Sequence, residues 1–433
     1  MRPKGFRGYM ILTVGQLVSI AGSAMTQFGL GIWMWKTTGN ATPFSMITFA
    51  FFLPNMLFST FAGSLVDRLP RKITLILPDL AAGLITLLTL IFYLGNRLSL
   101  PFLYITSFFS GIFNAFQWPA YSVTMSSMLK KEEYGKANGL FSLTETAPSL
   151  IAPILAGALM GVIGLEGIMV IDIVTCIFAI SMVILVDVGQ NLISNANGLF
   201  DNILKDSVFG FRYIFERKSL LSLLMIFLLT NIANGFWNTL FSPMILGKFN
   251  NDSLILGTVE TVFGAGGVLG GLIMSFWGGT KKKIYTLLSG ILLGGVGAMI
   301  MGASRSLVLV LIAVVINGVS GIFANSASQS IWQSAVPIEL QGRVFSARRF
   351  IAQFASIIPM VLSGPLVDKV LYNYFKNDNL LTQIFGAGKG SSIGFLAFLA
   401  GIIVILVAIF GFLNPLVVNV EQINFEDKKE VAL

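Results

Sequence analysis

Twelve stretches of this chain are long and apolar enough to cross a bilayer, and no other feature limits its fold so tightly. They fall near 9–33, 44–66, 73–95, 101–127, 137–164, 167–187, 219–247, 253–278, 284–304, 306–335, 345–370 and 391–417. A hydrocarbon core about 30 Å thick is crossed by about 20 helical residues. Within it, only helices and closed barrels satisfy every backbone N–H and C=O. The runs are continuous rather than alternating every second residue, which excludes a barrel. Charged residues are 11% of the chain and hydrophobic ones 55%, with mean hydropathy +0.83. A water-soluble domain carries about 25% charged residues. The predicted class is therefore all-α, a polytopic membrane protein of twelve transmembrane helices.

Arg2, Lys4 and Arg7 precede the first run, which exceeds a signal-peptide core and lacks a small-residue cleavage site, so it is read as a retained span. Connections between spans are short except at 188–218. There Gln190, Asn191, Asn195, Asn197 and Gly198 lead into an amphipathic run from Phe200 to Arg217. This reads as a linker with a surface-lying helix. The predicted organisation is a bundle at 1–187, the linker at 188–218, a second bundle at 219–420 and a tail at 421–433.

Alternate loops divide the 28 Lys and Arg residues unevenly. Only Lys36, Arg97, Lys248, Arg305, Lys369, Lys376 and Lys389 fall on the side opposite the termini. By the positive-inside rule both termini are cytoplasmic. The net charge of +8 then reflects topology, and no nucleic-acid partner is expected. The two bundles also repeat weakly. Gly135-Lys136 and Gly342-Arg343 stand 207 residues apart, and in that register Ser149 matches Ser356, Gly157 matches Gly364 and Leu159 matches Leu366. Duplication of a six-span unit, giving two pseudo-symmetric bundles, accounts for this.

Four spans carry polar residues at steps of three and four, which share one helix face. The first has Gln16, Ser19, Ser23 and Gln27, and the fourth Asn114, Gln117 and Trp118. The seventh has Asn231, Asn234, Trp237 and Asn238, and the tenth Asn317, Ser320 and Ser328. Such faces either line a cavity or join helices by hydrogen bonds. Their recurrence in spans one, four, seven and ten favours a substrate cavity.

Four acids lie within spans: Asp79, Glu145, Asp172 and Glu260. A charged carboxylate in hydrocarbon is costly, so these are candidates for exchanging protons. Glu145, one turn from Pro148, is the favoured one. Asp79 is equally readable as a structural partner of a basic residue. Asp172 and Glu260 are expected nearer the non-cytoplasmic ends, in reach of water. Arg348 or Arg349, opening the eleventh span, is a candidate to neutralise an acid.

Glycines crowd the eighth span (Gly264, Gly266, Gly267, Gly270, Gly271), and Gly157 and Gly161 are paired in the fifth. Close packing and hinge bending are the two readings. The chain has no histidine and one cysteine, Cys176. That leaves no metal-ligand cluster, no disulfide framework and no phosphate-binding loop. Neither a cofactor nor an enzymatic activity is expected.

The loop after the second span reads Gly63-Ser64-Leu65-Val66-Asp67-Arg68-Leu69-Pro70-Arg71-Lys72. It resembles the signature loop of the major facilitator superfamily, with Pro70 where a glycine is usual. The resemblance gives Gly63, Asp67, Arg68, Arg71 and Lys72 the role of a conformational gate. Trp118-Pro119-Ala120, Lys136-Ala137-Asn138, Gly342-Arg343-Val344 and Gly364-Pro365-Leu366 are similar to the drug:proton antiporter branch that holds macrolide-efflux and enterobactin-exporter proteins. This chain departs from that branch at Ala152-Pro153, where Gly-Pro is usual, and at Ala82, where an arginine often stands.

The resemblance implies a monomeric, proton-driven exporter of hydrophobic or amphipathic small molecules in the bacterial plasma membrane. Its partners would be lipid, a small-molecule substrate and protons. Export of an endogenous siderophore or secondary metabolite, uptake of a metabolite, and a sensor or structural subunit on the same fold are the alternatives.

Overall fold

The computed structural model describes residues 3–66, 69–188, 209–337 and 340–422, with no strand among them. The first six long helices are α1 (Gly5–Thr38), α2 (Ala41–Val66), α3 (Arg71–Leu94), α4 (Leu100–Met128), α5 (Tyr134–Met160) and α6 (Gly164–Leu185). A short helix, α7, covers 209–216. It is followed by α8 (Lys218–Asn238), α9 (Phe241–Lys248), α10 (Ser253–Trp277), α11 (Lys283–Ala303) and α12 (Leu307–Ala335). Helix α13 (Gln341–Pro365) runs on through a π-helical stretch, Leu366–Leu371, into α14 (Tyr372–Tyr374). The last helices are α15 (Leu380–Phe385), α16 (Lys389–Leu413) and α17 (Pro415–Val418).

Eleven of these helical segments are long and apolar enough to cross a membrane. Helix α4 has the length, at 29 residues, and completes the set of twelve by packing against α2 and α3. Its hydroxyls and amides, among them Ser107, Ser110, Asn114 and Gln117, dilute its apolar character. The seventh predicted span, 219–247, is broken at Thr239-Leu240 into α8 and α9. Of the predicted amphipathic run, only 209–216 and Arg217 lie within the described residues. Gly210 there packs on the Arg343 carbonyl at the start of α13.

Local chemistry sets the helix ends. Helix α1 stops at Gly39, whose φ of 57° is left-handed and whose N–H returns to the Trp35 carbonyl. Helix α10 starts at Asp252, whose carboxylate accepts from the Leu254 and Ile255 N–H groups. Lys248 closes α11 from outside that helix: its ammonium donates to the carbonyls of Met301 (3.0 Å), Gly302 (2.7 Å) and Ser304 (3.0 Å). Those groups have no intrahelical donor at a helix C-terminus. Replacing Lys248 with methionine is expected to cost about 2 kcal/mol. A drop in the melting temperature of purified protein checks this, and an unchanged value refutes it.

Helix α1 packs on α5 and α6, α2 on α4, and α3 on α4 and α6. In the second set α11 packs on α12 and α16, α10 on α12, and α8 on α13 and α16. The two sets meet along α5–α10 and α2–α13. The face of the molecule bearing the termini is called terminal below, and the opposite face distal. Hydrogen bonds joining the two sets run from midspan to the distal face. Ser253 Oγ donates to the Gly157 carbonyl (3.2 Å), Thr261 Oγ1 to Leu150 (2.9 Å), and Trp35 Nε1 to Asn251 Oδ1 (2.8 Å). Others converge on Asp368 and Lys389.

Candidate functional site

A cavity of about 540 Å³ opens among α1, α2, α3, α4 and α6, well within the size of small-molecule pockets. Ser23 and Gln27 of α1 and Asn114 and Gln117 of α4 line it, together with Asp79 and Asp172. A polar chain crosses its wall: Asn55 Nδ2 donates to Asn114 Oδ1 (3.0 Å), and Asn114 Nδ2 to Gln117 Oε1 (3.1 Å). The other walls are apolar, from Ile20, Phe44, Phe51 and Phe113. A body with an apolar surface and a few hydrogen-bonding groups fits such a lining.

A second cavity, of about 320 Å³, lies between the two sets and is bounded by Gln27, Phe44, Pro148, Ser149, Ser242 and Glu260 among others. Glu260 is half-buried here and accepts a hydrogen bond from Ser242 Oγ (2.9 Å). Gln27 and Phe44 border both cavities. The seam acid therefore stands one side chain away from the larger chamber.

Other predicted residues are placed elsewhere. Gln16 is buried outside the cavity wall, its Oε1 accepting from the Tyr121 hydroxyl (2.6 Å). Trp118 is 60% exposed. Asn231 and Asn238 are exposed, and Asn234 Oδ1 accepts from the buried Trp237 Nε1 (3.2 Å) on its own helix. Asn317 donates to the Ala313 carbonyl (3.0 Å) and fills the space beside Gly297 at the α11–α12 contact. None of these seven lines either cavity.

Asp172 is not at a wet helix end: it is 2% exposed, as is Asp79. The side chain of Glu145 lies outside the described residues, and its backbone belongs to α5. In the gate loop Asp67 and Arg68 also lie outside them. Gly63 is in α2, the Arg71 Nε is buried without a partner, and Lys72 Nζ donates to the Ile184 carbonyl (3.1 Å). Arg348 makes its contacts within its own set, donating to Ser328 Oγ (2.8 Å) and Gln329 Oε1 (3.3 Å) and lying 5.0 Å from the Trp332 ring.

Sequence reasoning passed over Thr26, Thr48, Thr86 and Ser242. A usable signal existed for two of them. Thr26 continues the Ser19–Ser23 face by a step of three, and Thr86 stands two turns after Asp79, so each pair shares a helix face. Asp368 was also missed. Its side chain accepts from the N–H of Ala41 (3.1 Å), the N–H of Thr42 (2.8 Å) and the Thr42 hydroxyl (2.6 Å).

Two helical sets packed along a seam, with a polar-apolar chamber inside the first, make a multi-pass membrane transporter rather than an enzyme. Residues 12–360 match the Major Facilitator Superfamily, and the chain belongs to it. It is 27% identical over 373 residues to macrolide efflux protein A of Streptococcus pyogenes, spanning 85% of this chain and 91% of that protein. With macrolide efflux protein A of Enterococcus faecalis it shares 28% identity over 257 residues, or 58% and 78% of the two chains.

Among solved structures, a bacterial homologue of the human lysosomal transporter Spinster, inward-facing and unoccupied, superposes with a TM-score of 0.71 at 12% identity, covering 96% of each chain. A bacterial homologue of the iron transporter ferroportin, also inward-facing, gives 0.67 at 14% identity, covering 93% of this chain and 98% of that one. At such identities the likeness is one of fold.

Proposed function

We propose that this protein is a proton-coupled exporter of hydrophobic or amphipathic small molecules, working by alternating access in a bacterial plasma membrane. The bundles 1–187 and 219–420 would rock about the chamber, joined by the 188–218 linker, with both termini cytoplasmic. The observation that carries the reading is the distal seam, where hydrogen bonds from Trp35, Ser253, Lys389 and to Asp368 join the two helical sets. That is the arrangement of a transporter waiting for cargo from the cytoplasm. The likeness to macrolide efflux proteins supports the cargo class, and the chamber lining of phenylalanine with Asn and Gln suits it.

Glu260 is the proposed proton carrier, with Glu145 on the facing helix α5 as its partner in coupling. Glu260 sits in the seam itself, so the motion that opens and closes the seam changes its surroundings. Gating an acid's access by the transport motion is what coupling requires. Asp79 and Asp172 lie away from the seam and serve this cycle less directly.

The test is export of a macrolide or a fluorescent amphiphile by inside-out vesicles under an imposed pH gradient. Wild type is expected to accumulate the compound and to dissipate the gradient in doing so. Glu260→Gln is expected to lose at least about tenfold in gradient-driven accumulation while still binding the compound. Accumulation indifferent to the gradient in wild type would remove proton coupling from the proposal.

A further inference from the structure

Asp79 and Asp172 pose a charge problem that the seam acid does not solve. Both line the larger cavity and each is 2% exposed. Asp172 is held between hydroxyls from two other helices, Ser23 Oγ at 2.9 Å from Oδ1 and Thr86 Oγ1 at 2.8 Å from Oδ2. Gly22 makes this grip possible, because a Cβ there would overlap the Thr175 hydroxyl and lie 3.2 Å from Asp172 Oδ1. Asp79 is flanked by Gln16 and Ser19, and both its Oδ2 and the Gln16 Nε2 close no hydrogen bond. Thr26 Oγ1, on the same cavity wall and 4% exposed, is turned toward Asp172 but closes no hydrogen bond. Among the described residues no Lys or Arg forms an ion pair with either acid.

Two carboxylates in one low-dielectric pocket repel each other, and each loses several kcal/mol of hydration on burial. Something positive must balance them. Protons would neutralise the charge, and so would a bound metal ion. A metal ion in the pocket would also give the Asp79 and Thr26 oxygens on its wall a partner. Hydroxyls that donate to Asp172 keep lone pairs for a metal. The available donors are all hard oxygens: two carboxylates and the hydroxyls of Ser19, Ser23, Thr26 and Thr86.

The chain contains no imidazole, and the one thiol, Cys176, is turned to the Asp79 backbone carbonyl at 2.9 Å. Such a set suits hard cations and is poor for zinc, copper or iron. No three acids, histidines or cysteines cluster among the described residues, so the neutral hydroxyls must complete the coordination.

We infer that Asp79 and Asp172, with Ser23, Thr26 and Thr86, form a binding site for a hard metal cation of the sodium or calcium kind, within the first helical bundle. The site braces α1, α3 and α6 against one another on the wall of the cargo chamber. It stands whether or not protons drive export, since Glu260 lies in a separate cavity.

The test is the thermal stability of the purified full chain in NaCl, KCl, CaCl2 or choline chloride at one ionic strength and pH. Sodium or calcium is expected to raise the melting temperature by about 3 °C or more over choline. Asp172→Asn and Asp79→Asn are expected to abolish the rise. Thr26→Ala and Ser23→Ala, which keep both charges, should shift the half-saturating concentration upward by roughly tenfold. Glu260→Gln should retain the response, so a failure of proton coupling and a failure of this site are separable. Equal melting in choline and in both metal salts overturns the inference. So does a metal response untouched by Thr26→Ala and Ser23→Ala, even where the aspartate variants fail to fold.

Discussion

Asp368→Asn is expected to unseal the distal face. The carboxylate sits in the π-helical stretch that follows α13 and receives the first free N–H groups of α2, those of Ala41 and Thr42, together with the Thr42 hydroxyl. A helix N-terminus has unsatisfied donors and a positive dipole end, so an anion from another helix is well placed there. Lys389 lies 3.6 Å from the same carboxylate and also donates to the Gly39 carbonyl (2.6 Å) and to Asn40 Oδ1. Below them Gly364 lets the two helices touch, since a Cβ there would collide with Thr42.

The asparagine loses the charge of three hydrogen bonds and of the lysine pair, about 2–4 kcal/mol. If the closed and open forms differ chiefly at this seam, their ratio shifts by roughly 30- to 1,000-fold. The readout is Ser45→Cys, a position fully buried under the seam. The native Cys176 is buried and gives little background. A membrane-impermeant maleimide added to the distal face should label Ser45→Cys much faster when Asp368→Asn is also present. Equal labelling rates in the two backgrounds would show that this contact does not hold the face shut.

Gly257→Leu is expected to reduce export by about 100-fold or more, because a side chain there meets backbone that cannot yield. Its Cβ would overlap the Pro153 carbonyl oxygen of α5, and the reciprocal Cβ at Gly157 would lie 2.6 Å from the Ser253 carbonyl oxygen of α10. The collision belongs to the closed seam and disappears when the bundles part. The variant should therefore fold, label readily from the distal face, and turn over slowly. Gly267→Leu on the same helix is the control, having nothing within 4 Å of its Cβ. Export assayed in vesicles, beside the amount of folded protein, separates the cases. Equal loss in both variants, or normal export by Gly257→Leu, would count against a seam role for these glycines.

These glycines show what a sequence can and cannot say. Their crowding in the eighth span is visible at once, but its meaning differs from one residue to the next. Gly257 and Gly264 face α5, Gly266 and Gly270 face Val315 and Val319 of α12, and Gly267 and Gly271 face open space. Spacing assigns a face to each, never a neighbour. Apolar length is a property of the chain itself, so the spans were legible to within a few residues: 253–278 against Ser253–Trp277, and 101–127 against Leu100–Met128.

The polar faces fared by the same logic. Ser23, Gln27, Asn114 and Gln117 meet around one cavity. Asn317 has equal periodicity yet is used in packing beside Gly297. Helical phase fixes direction relative to the helix axis, and only the packed bundle decides what lies in that direction. Asp368 was out of reach for a further reason, because its placement depends on a departure from regular helix that no periodicity announces.

That departure has a consequence of its own. A regular helix turns about 100° per residue, whereas the wider loop at Leu366–Leu371 absorbs one residue more than α-helical winding would. Deleting a single residue there, Val367 for instance, would let the segment rewind and swing the carboxylate of Asp368 a quarter-turn away from α2. In a protein that must open and shut repeatedly, the tightness of one gate is thus written in the number of residues as well as in their chemistry. A one-residue deletion at this point would act as a mutation of a side chain it never touches.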